Sequence, residues 1–190
     1  MAFGIVCEYN PFHNGHLHQI NEIKKVSDEP IICVMSGNFT QRGDVAIVDK
    51  YERARMAIEA GADLVFELPV PFCCASAEYF ASVGVYILNE LGVSKIVFGS
   101  ESADAEKIMK IAEIAASDEF KNECSRLSKS EGSAGAYFDL LAKRSGVDGI
   151  LSNDILGIEY TKAILKNDYK MQIYPIKREG NAYRETKLSL

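Results

Sequence analysis

The stretch Gly4-Ile-Val-Cys-Glu-Tyr-Asn-Pro-Phe-His-Asn-Gly-His-Leu-His-Gln-Ile20 decides how this chain is read. Phe3 to Cys7 is an apolar run, β-branched in part, of the kind that forms a strand covered on both faces. Asn10-Pro11 then imposes a turn, because the proline ring restricts the residue before it. The spacing predicts a helix from Gly15 to Val26, with Leu17, Ile20 and Ile23 along one apolar side. All three histidines of the chain lie in this stretch, and His13 and His16 stand three apart where the helix opens. The first N–H groups of a helix have no partners within it, so that end favours an anion.

Working outward, the same pattern repeats. Pro30 to Met35 reads as a second buried strand, followed by a polar loop to Val48. Asp49 caps a helix from Lys50 to Glu59 that stops at Gly61. Leu64 to Leu68 is a third strand ending at Pro69. A helix from Ser76 or Ala77 to Leu91 precedes a fourth strand, Lys95 to Phe98. Strands alternating with helices, joined by connections too long for hairpins, imply a parallel sheet with helices on both faces. Ligands of such sheets sit beyond the carboxyl ends of the strands. The loops Glu8 to His13, Ser36 to Arg42, Glu67 to Pro71 and Gly99 to Ser102 are therefore expected to converge.

Beyond Ala103 the pattern turns helical, with helices expected over Ala105 to Ala116, Asp118 to Ser128 and Ala134 to Arg144. Residues 103–146 are read as a helical insertion between two parts of one domain, 1–102 and 147–180. In the second part a helix from Asp154 to Leu165, capped by Ser152 or Asn153, leads to a fifth strand, Met171 to Ile176. Residues 181–190 form a polar tail.

Composition narrows the class. A hydrophobic content of 47% with 25% charged residues is that of a globular domain able to bury a core. The net charge of −6 argues against a broad basic surface, so any nucleic-acid contact has to be local. No leading segment resembles a signal peptide and no apolar run is long enough to span a membrane, which gives a cytoplasmic expectation. The five cysteines, Cys7, Cys33, Cys73, Cys74 and Cys124, lack the paired spacing of a metal site. They are assigned to packing, and no metal site is expected.

Two histidines on a glycine-containing turn at a helix N-terminus suit phosphate chemistry: helix N–H groups and imidazoles can both donate to charge on a reacting phosphorus centre. From spacing alone the opposite reading, that His13 and His16 merely cap the turn, fits equally. Lys50, Arg53 and Arg55 read as one polar, solvated helix face. Glu67 and Glu101 are each open to a ligand role or an ordinary one, and His18 to a surface position.

HNGH at 13 to 16 resembles the HxGH signature of the nucleotidyltransferase superfamily. The longer strings EYNPFHNGH and SGNFTQRGDVAIVDKYERARMAIEAGADLVFELP (36 to 69), with FGSE (98 to 101), SNDILGIEYTKAI (152 to 164) and IKREG (176 to 180), resemble the bacterial tRNA(Met) cytidine acetate ligase family across essentially the whole chain. The resemblance implies a Rossmann-like α/β fold. It implies an enzyme that activates acetate with ATP as acetyl-adenylate, with Mg2+, and acetylates the wobble cytidine of elongator tRNA(Met) to N4-acetylcytidine. HxGH alone also fits a small-molecule adenylyltransferase acting on a coenzyme precursor, or a non-catalytic nucleotide-binding module.

Carried over by position, the ATP site comprises Cys7, Glu8, Tyr9, Asn10, Pro11, Phe12, His13, Asn14, Gly15, His16, Leu17, His18, Gln19, Ile20, Gly99, Asn153 and Arg178. His13 and His16 are the catalytic candidates. Asn38, Gln41 and Arg42 are assigned to the acetate and cytidine side, since a carboxylate suits a guanidinium or amide fork. The family continues into a serine- and threonine-rich segment ending in arginine and a further domain. This sequence contains no such string before Leu190, so it is expected to be an N-terminal portion.

Overall fold

The computed structural model describes residues 1–126 and 134–178. Five strands, β1 (Phe3–Cys7), β2 (Ile31–Ser36), β3 (Leu64–Leu68), β4 (Lys95–Ser100) and β5 (Gln172–Lys177), form one sheet in the order β3-β2-β1-β4-β5. Every pairing is parallel. The helices are α1 (Asn14–Val26), α2 (Lys50–Ala60), α3 (Ala77–Glu90), α4 (Ala105–Ala116), α5 (Asp118–Cys124), α6 (Ala134–Ser145) and α7 (Ser152–Lys166). The expected helix through Ser128 ends at Cys124; Leu127 and Ser128, like the tail 181–190, lie outside the described residues.

Strand alternation divides the core in two. Phe3, Ile5 and Cys7 of β1, with Ile31, Cys33 and Met35 of β2, face α1 and α2 through Ile20, Ile23 and Ala57. Val6, Ile32, Val34, Ile96 and Phe98 face the other way, onto Phe80, Val85 and Leu88 of α3 and Ile158 and Tyr160 of α7. Ile108, Ile111, Phe120 and Leu141 of α4 to α6 belong to that same second cluster. At Gly157 a Cβ would lie 2.4 Å from the Phe98 ring, so only glycine lets α7 sit this close to β4.

Three expectations need correction here. Leu17 is 36% exposed while Ile20 and Ile23 are fully buried, so the apolar side of α1 starts one turn later than its pattern indicates. Cys7, Cys33 and Cys73 are buried, but Cys74 is exposed and is not a packing residue. Arg53, read as part of a solvated face, is fully buried.

The sheet's geometry positions a site. β1 pairs with β2 along its whole length, from Phe3↔Ile31 to Cys7↔Met35, but with β4 only at Phe3↔Lys95 and Gly4↔Ile96. Beyond Gly4 the two strands part, and the Gln19 side-chain amide of α1 donates to the Val97 carbonyl that β1 leaves unpaired (3.2 Å). The parting occurs between β1 and β4, where the strand order reverses, the place at which open α/β sheets bind ligands.

Candidate active site

A crevice of about 770 Å³ opens where β1 and β4 separate, a volume suited to a nucleotide-sized ligand. It is lined by the β1 end and the following turn, by Gln41 and Arg42, by Ala77 and Phe80 of α3, by Phe98 and Gly99 of β4, by the first turns of α7, by the end of β5 at Ile176 and Lys177, and by Arg178 after it. Three of the four expected loops thus meet. The Glu67 to Pro71 loop is not among the lining: Glu67 pairs with Lys50 (2.7 Å) and lies against Gly37.

The two histidines cap the helix and also line the crevice. His13 is the N-cap of α1, its Nδ1 accepting from the Gly15 N–H (3.1 Å), and the His16 Nδ1 accepts from the His13 N–H (3.3 Å). This is a reciprocal capping arrangement in which imidazoles stand in for the usual hydroxyl and carboxylate. A neutral imidazole that accepts at Nδ1 carries its proton at Nε2, so each ring keeps one N–H donor. The rings stack 3.6 Å apart at 19°, and Tyr9 and Phe12 back His16 at 4.7 and 5.5 Å. Gly15 makes room for this, since a Cβ there would press to 3.0 Å from the His13 ring.

Electrostatics keep both rings neutral. Burial, then His13 and Arg178, push the His16 pKa down to about 3, and burial and Arg178 lower that of His13. Near neutral pH both rings are therefore uncharged, each keeping its Nε2–H as a donor. Arg178 adds a permanent positive charge within their reach, its backbone anchored by donation to the Ser100 carbonyl (3.1 Å) and its stem against Gly99.

Glu8 and Asn10 act through the next loop. The Glu8 carboxylate accepts from the Gln41 N–H (2.5 Å) and the Asn10 side-chain oxygen from the Ile47 N–H (2.8 Å). From Asn38 to Ala46 the segment folds back on itself, with a Phe39↔Val45 bridge closed by Thr40 N to Asp44 O and Ala46 N to Asn38 O, each 2.9 Å. This holds Gln41 and Arg42 at the crevice, whereas Asn38 is not among its lining residues. Of the first stretch, Phe12, Asn14, Leu17 and Ile20 do not line it either, and Ile20 is in the core. His18, half-buried, does line it.

Arg53 underlies all of this. Its guanidinium donates to the carbonyls of Glu8, Ser36, Gly37 and Val48, binding the ends of β1 and β2 to the start and finish of the loop. Arg53 shares the inward side of α2 with Ala54, Ala57 and Ala60.

The start of α7 differs from expectation. Neither Ser152 nor Asn153 caps it: Leu151 takes that position without a side-chain bond. Glu101 arrives from β4 instead. It accepts from the N–H groups of Asn153 (3.1 Å) and Asp154 (3.1 Å) and from the Asn153 side-chain amide (2.6 Å). Asp154 reciprocates, accepting from the Glu101 N–H (3.2 Å) and the Ser100 hydroxyl. Glu101 is thus committed within the protein, and Asn153 keeps its side-chain oxygen and one amide N–H. Nothing in the sequence marks this partnership across more than fifty residues.

Among the described residues no group of three His, Cys, Asp or Glu side chains could hold a metal ion, and no helix is long and apolar enough to cross a membrane. A Mg2+ arriving on a triphosphate would rely on phosphate oxygens and water, as that ion commonly does, and no step is assigned to it here.

Comparison with known proteins agrees with this geometry. The chain is 45% identical over 192 residues to the tRNA(Met) cytidine acetate ligase of Caldicellulosiruptor saccharolyticus, covering 98% of this chain and 48% of that protein. It is 42% identical to the enzyme of the same name from Limosilactobacillus reuteri, covering 98% and 49%. The chain therefore spans about half the length of the curated relatives it matches. Among solved structures, Thermotoga maritima TmcAL bound with alpha-thio ATP superposes with a TM-score of 0.82 at 37% identity, covering 95% of this chain and 47% of that one. Its apo form gives 0.83 at 36%, covering 100% and 48%. The family model described as HIGH Nucleotidyl Transferase matches residues 1–190. With its HNGH turn at the switch point of a parallel sheet, the chain belongs to the HIGH nucleotidyl transferase family.

Proposed function

We propose that this chain carries the ATP-handling half of a tRNA(Met) cytidine acetate ligase. It would activate acetate as acetyl-adenylate for transfer to the wobble cytidine. The observation that carries the reading is the pair of neutral, stacked histidines whose Nε2–H donors are left over from helix capping, beside Arg178 at the splayed ends of β1 and β4. The names of the relatives and the ATP analogue in the T. maritima structure support it.

In this reading an acetate oxygen attacks the α-phosphorus of ATP, the bond to the bridging oxygen breaks, and pyrophosphate leaves. His13 and His16 donate to the phosphate oxygens through Nε2–H, and Arg178 offsets their growing charge; positioning and electrostatics do the work, with no covalent intermediate on the protein. The cytidine amine then attacks the acetyl carbonyl, AMP departs and the amine loses its proton. Gln41 and Arg42 stand on the acetate and cytidine side.

The test is incubation with ATP, Mg2+ and labelled acetate, with and without tRNA(Met). Acetate-dependent pyrophosphate release supports the proposal. Release only with a phosphorylated metabolite points to an adenylyltransferase, and ATP binding with no release to a nucleotide-binding module.

A further inference from the structure

One polar group in the crevice is unused by the mechanism above. Asn153, Leu156 and Tyr160 follow one another down a single face of α7, three and four residues apart, and all three line the crevice. Tyr160 is the deepest of them, 2% exposed, with its ring tilted against Phe98 at a centroid distance of 5.8 Å. Its hydroxyl has no hydrogen-bond partner among the described residues, and it is not one of the sealed unpartnered atoms of the core: it stays open to the crevice, where a ligand can reach it. We propose that the Tyr160 hydroxyl is a ligand contact at the floor of the crevice, donating a hydrogen bond to a ring acceptor of a nucleobase.

The surroundings select that ligand chemistry. Around Tyr160 the crevice is walled by Val6, Ala77, Phe80, Phe98 and Leu156, which offer flat apolar surface and no charge. The nearest lysine on the helix, Lys162, is engaged by Glu159 (2.5 Å) and Glu78 (3.2 Å). Burial first, and then the nearby Glu8 carboxylate, raise the Tyr160 pKa and hold it as a neutral donor. A carboxylate or phosphate lodged here would face a single neutral hydroxyl, with Glu8 repelling it, and would lose more hydration than it regains. An uncharged planar heterocycle loses little, stacks on the apolar walls and supplies the missing acceptor. The inference rests on the nucleotide-binding reading of the crevice. Two bases satisfy it, the adenine of ATP and the cytosine to be modified.

Tyr160→Phe keeps the ring and its packing, so its melting temperature should match the parent's. Binding is then measured by calorimetry for the full 190-residue chain with ATP, inorganic tripolyphosphate and cytidine. Loss of one neutral hydrogen bond should weaken the base-bearing ligand about 3- to 10-fold and leave tripolyphosphate unchanged. Weakened ATP assigns the adenine; weakened cytidine with unchanged ATP assigns the cytosine. Equal affinities for parent and variant across all three ligands overturn the inference, as does a parent chain that binds ATP no more tightly than tripolyphosphate and cytidine not at all. Failure of acetate-dependent pyrophosphate release would sink the ligase reading alone, because these affinities are measured without turnover.

Discussion

Two of the helices that open onto the crevice, α1 and α7, have N-termini treated in opposite ways. α7 has its orphan N–H groups filled by a carboxylate of the protein itself, Glu101, so the positive end of that helix is already neutralised. α1 is capped only by neutral imidazoles, which consume one nitrogen each and return an N–H donor to the crevice. A helix N-terminus is therefore an anion site only when its cap leaves the charge unanswered, and of these two only α1 meets that condition. The contrast extends to the side chains at these ends: His13 and His16 each keep an Nε2–H beside the crevice, while Asn153 spends one amide N–H on Glu101.

The largest expected effect comes from breaking the α1 side. His16→Ala removes an N–H donor aimed at the phosphates, and by analogy with single oxyanion-type donors turnover should fall at least about 100-fold. The same change removes half of the capping pair, so folding stability should drop by only about 1 kcal/mol. Pyrophosphate release per folded molecule, set beside urea denaturation, separates the two. An unfolded variant whose folded fraction turns over normally would show that His16 is a cap and nothing more.

Arg53 tests what holds the crevice between the two helices. Lysine retains the charge but cannot span the four carbonyls, and a buried carbonyl left without a donor costs about 1–3 kcal/mol. Arg53→Lys should thus lose about 2–3 kcal/mol in urea denaturation, more than the roughly zero effect expected of Arg55→Lys, whose ion pairs with Glu52 and Glu59 are exposed. Equal effects at the two positions would return Arg53 to the surface role its sequence neighbours suggest.

Legibility in the sequence followed the range of the interaction. Elements set by local pattern were readable: the five strands, the stop of α2 at Gly61, and the position of the histidines at a helix opening all follow from residues within one or two turns of each other. The convergence of three of the four strand-end loops was readable too, because parallel order puts strand ends together. What could not be read were partnerships made only by folding. Glu101 capping α7, Glu8 and Asn10 tying down the Gln41 to Ile47 segment, and Arg53 reaching back to β1 and β2 leave no spacing signature. A charged side chain in a polar-looking string carries no sign of whether water or four carbonyls will surround it. The family resemblance supplied the ATP-facing stretch as one continuous run, and it took the fold to separate its lining residues from Ile20 in the core.

Glu101→Ala sharpens the comparison from the other side. It should cost about 1–2 kcal/mol, the upper range for a lost cap, because the α7 N–H groups and the Asn153 amide lose their acceptor together. Opening that N-terminus also creates a second unanswered positive end, so the variant should bind tripolyphosphate more tightly than the parent. Unchanged affinity would mean that Glu101 serves only to fix the β4 loop.

The smallest effect is in pH. The α1 caps titrate, and the folded state holds both histidine pKa values below the usual 6.5, His16 at about 3. Above pH 6.5 the rings are neutral in both folded and unfolded chains, so they contribute no pH dependence there. As pH falls from 6.5 toward 3 the unfolded chain takes up protons that the folded chain refuses, and stability declines through that window. His16→Ala should flatten this decline, whereas Glu101→Ala should leave the His16 contribution to it in place. ATP affinity, for its part, should show no histidine step near 6.5, because the donors at α1 are already in their working form on both sides of it. A binding titration with a midpoint at 6.5 would mean that the imidazoles meet phosphate as cations, and the distinction between a neutral, donor-bearing N-terminus and a charged one would fall.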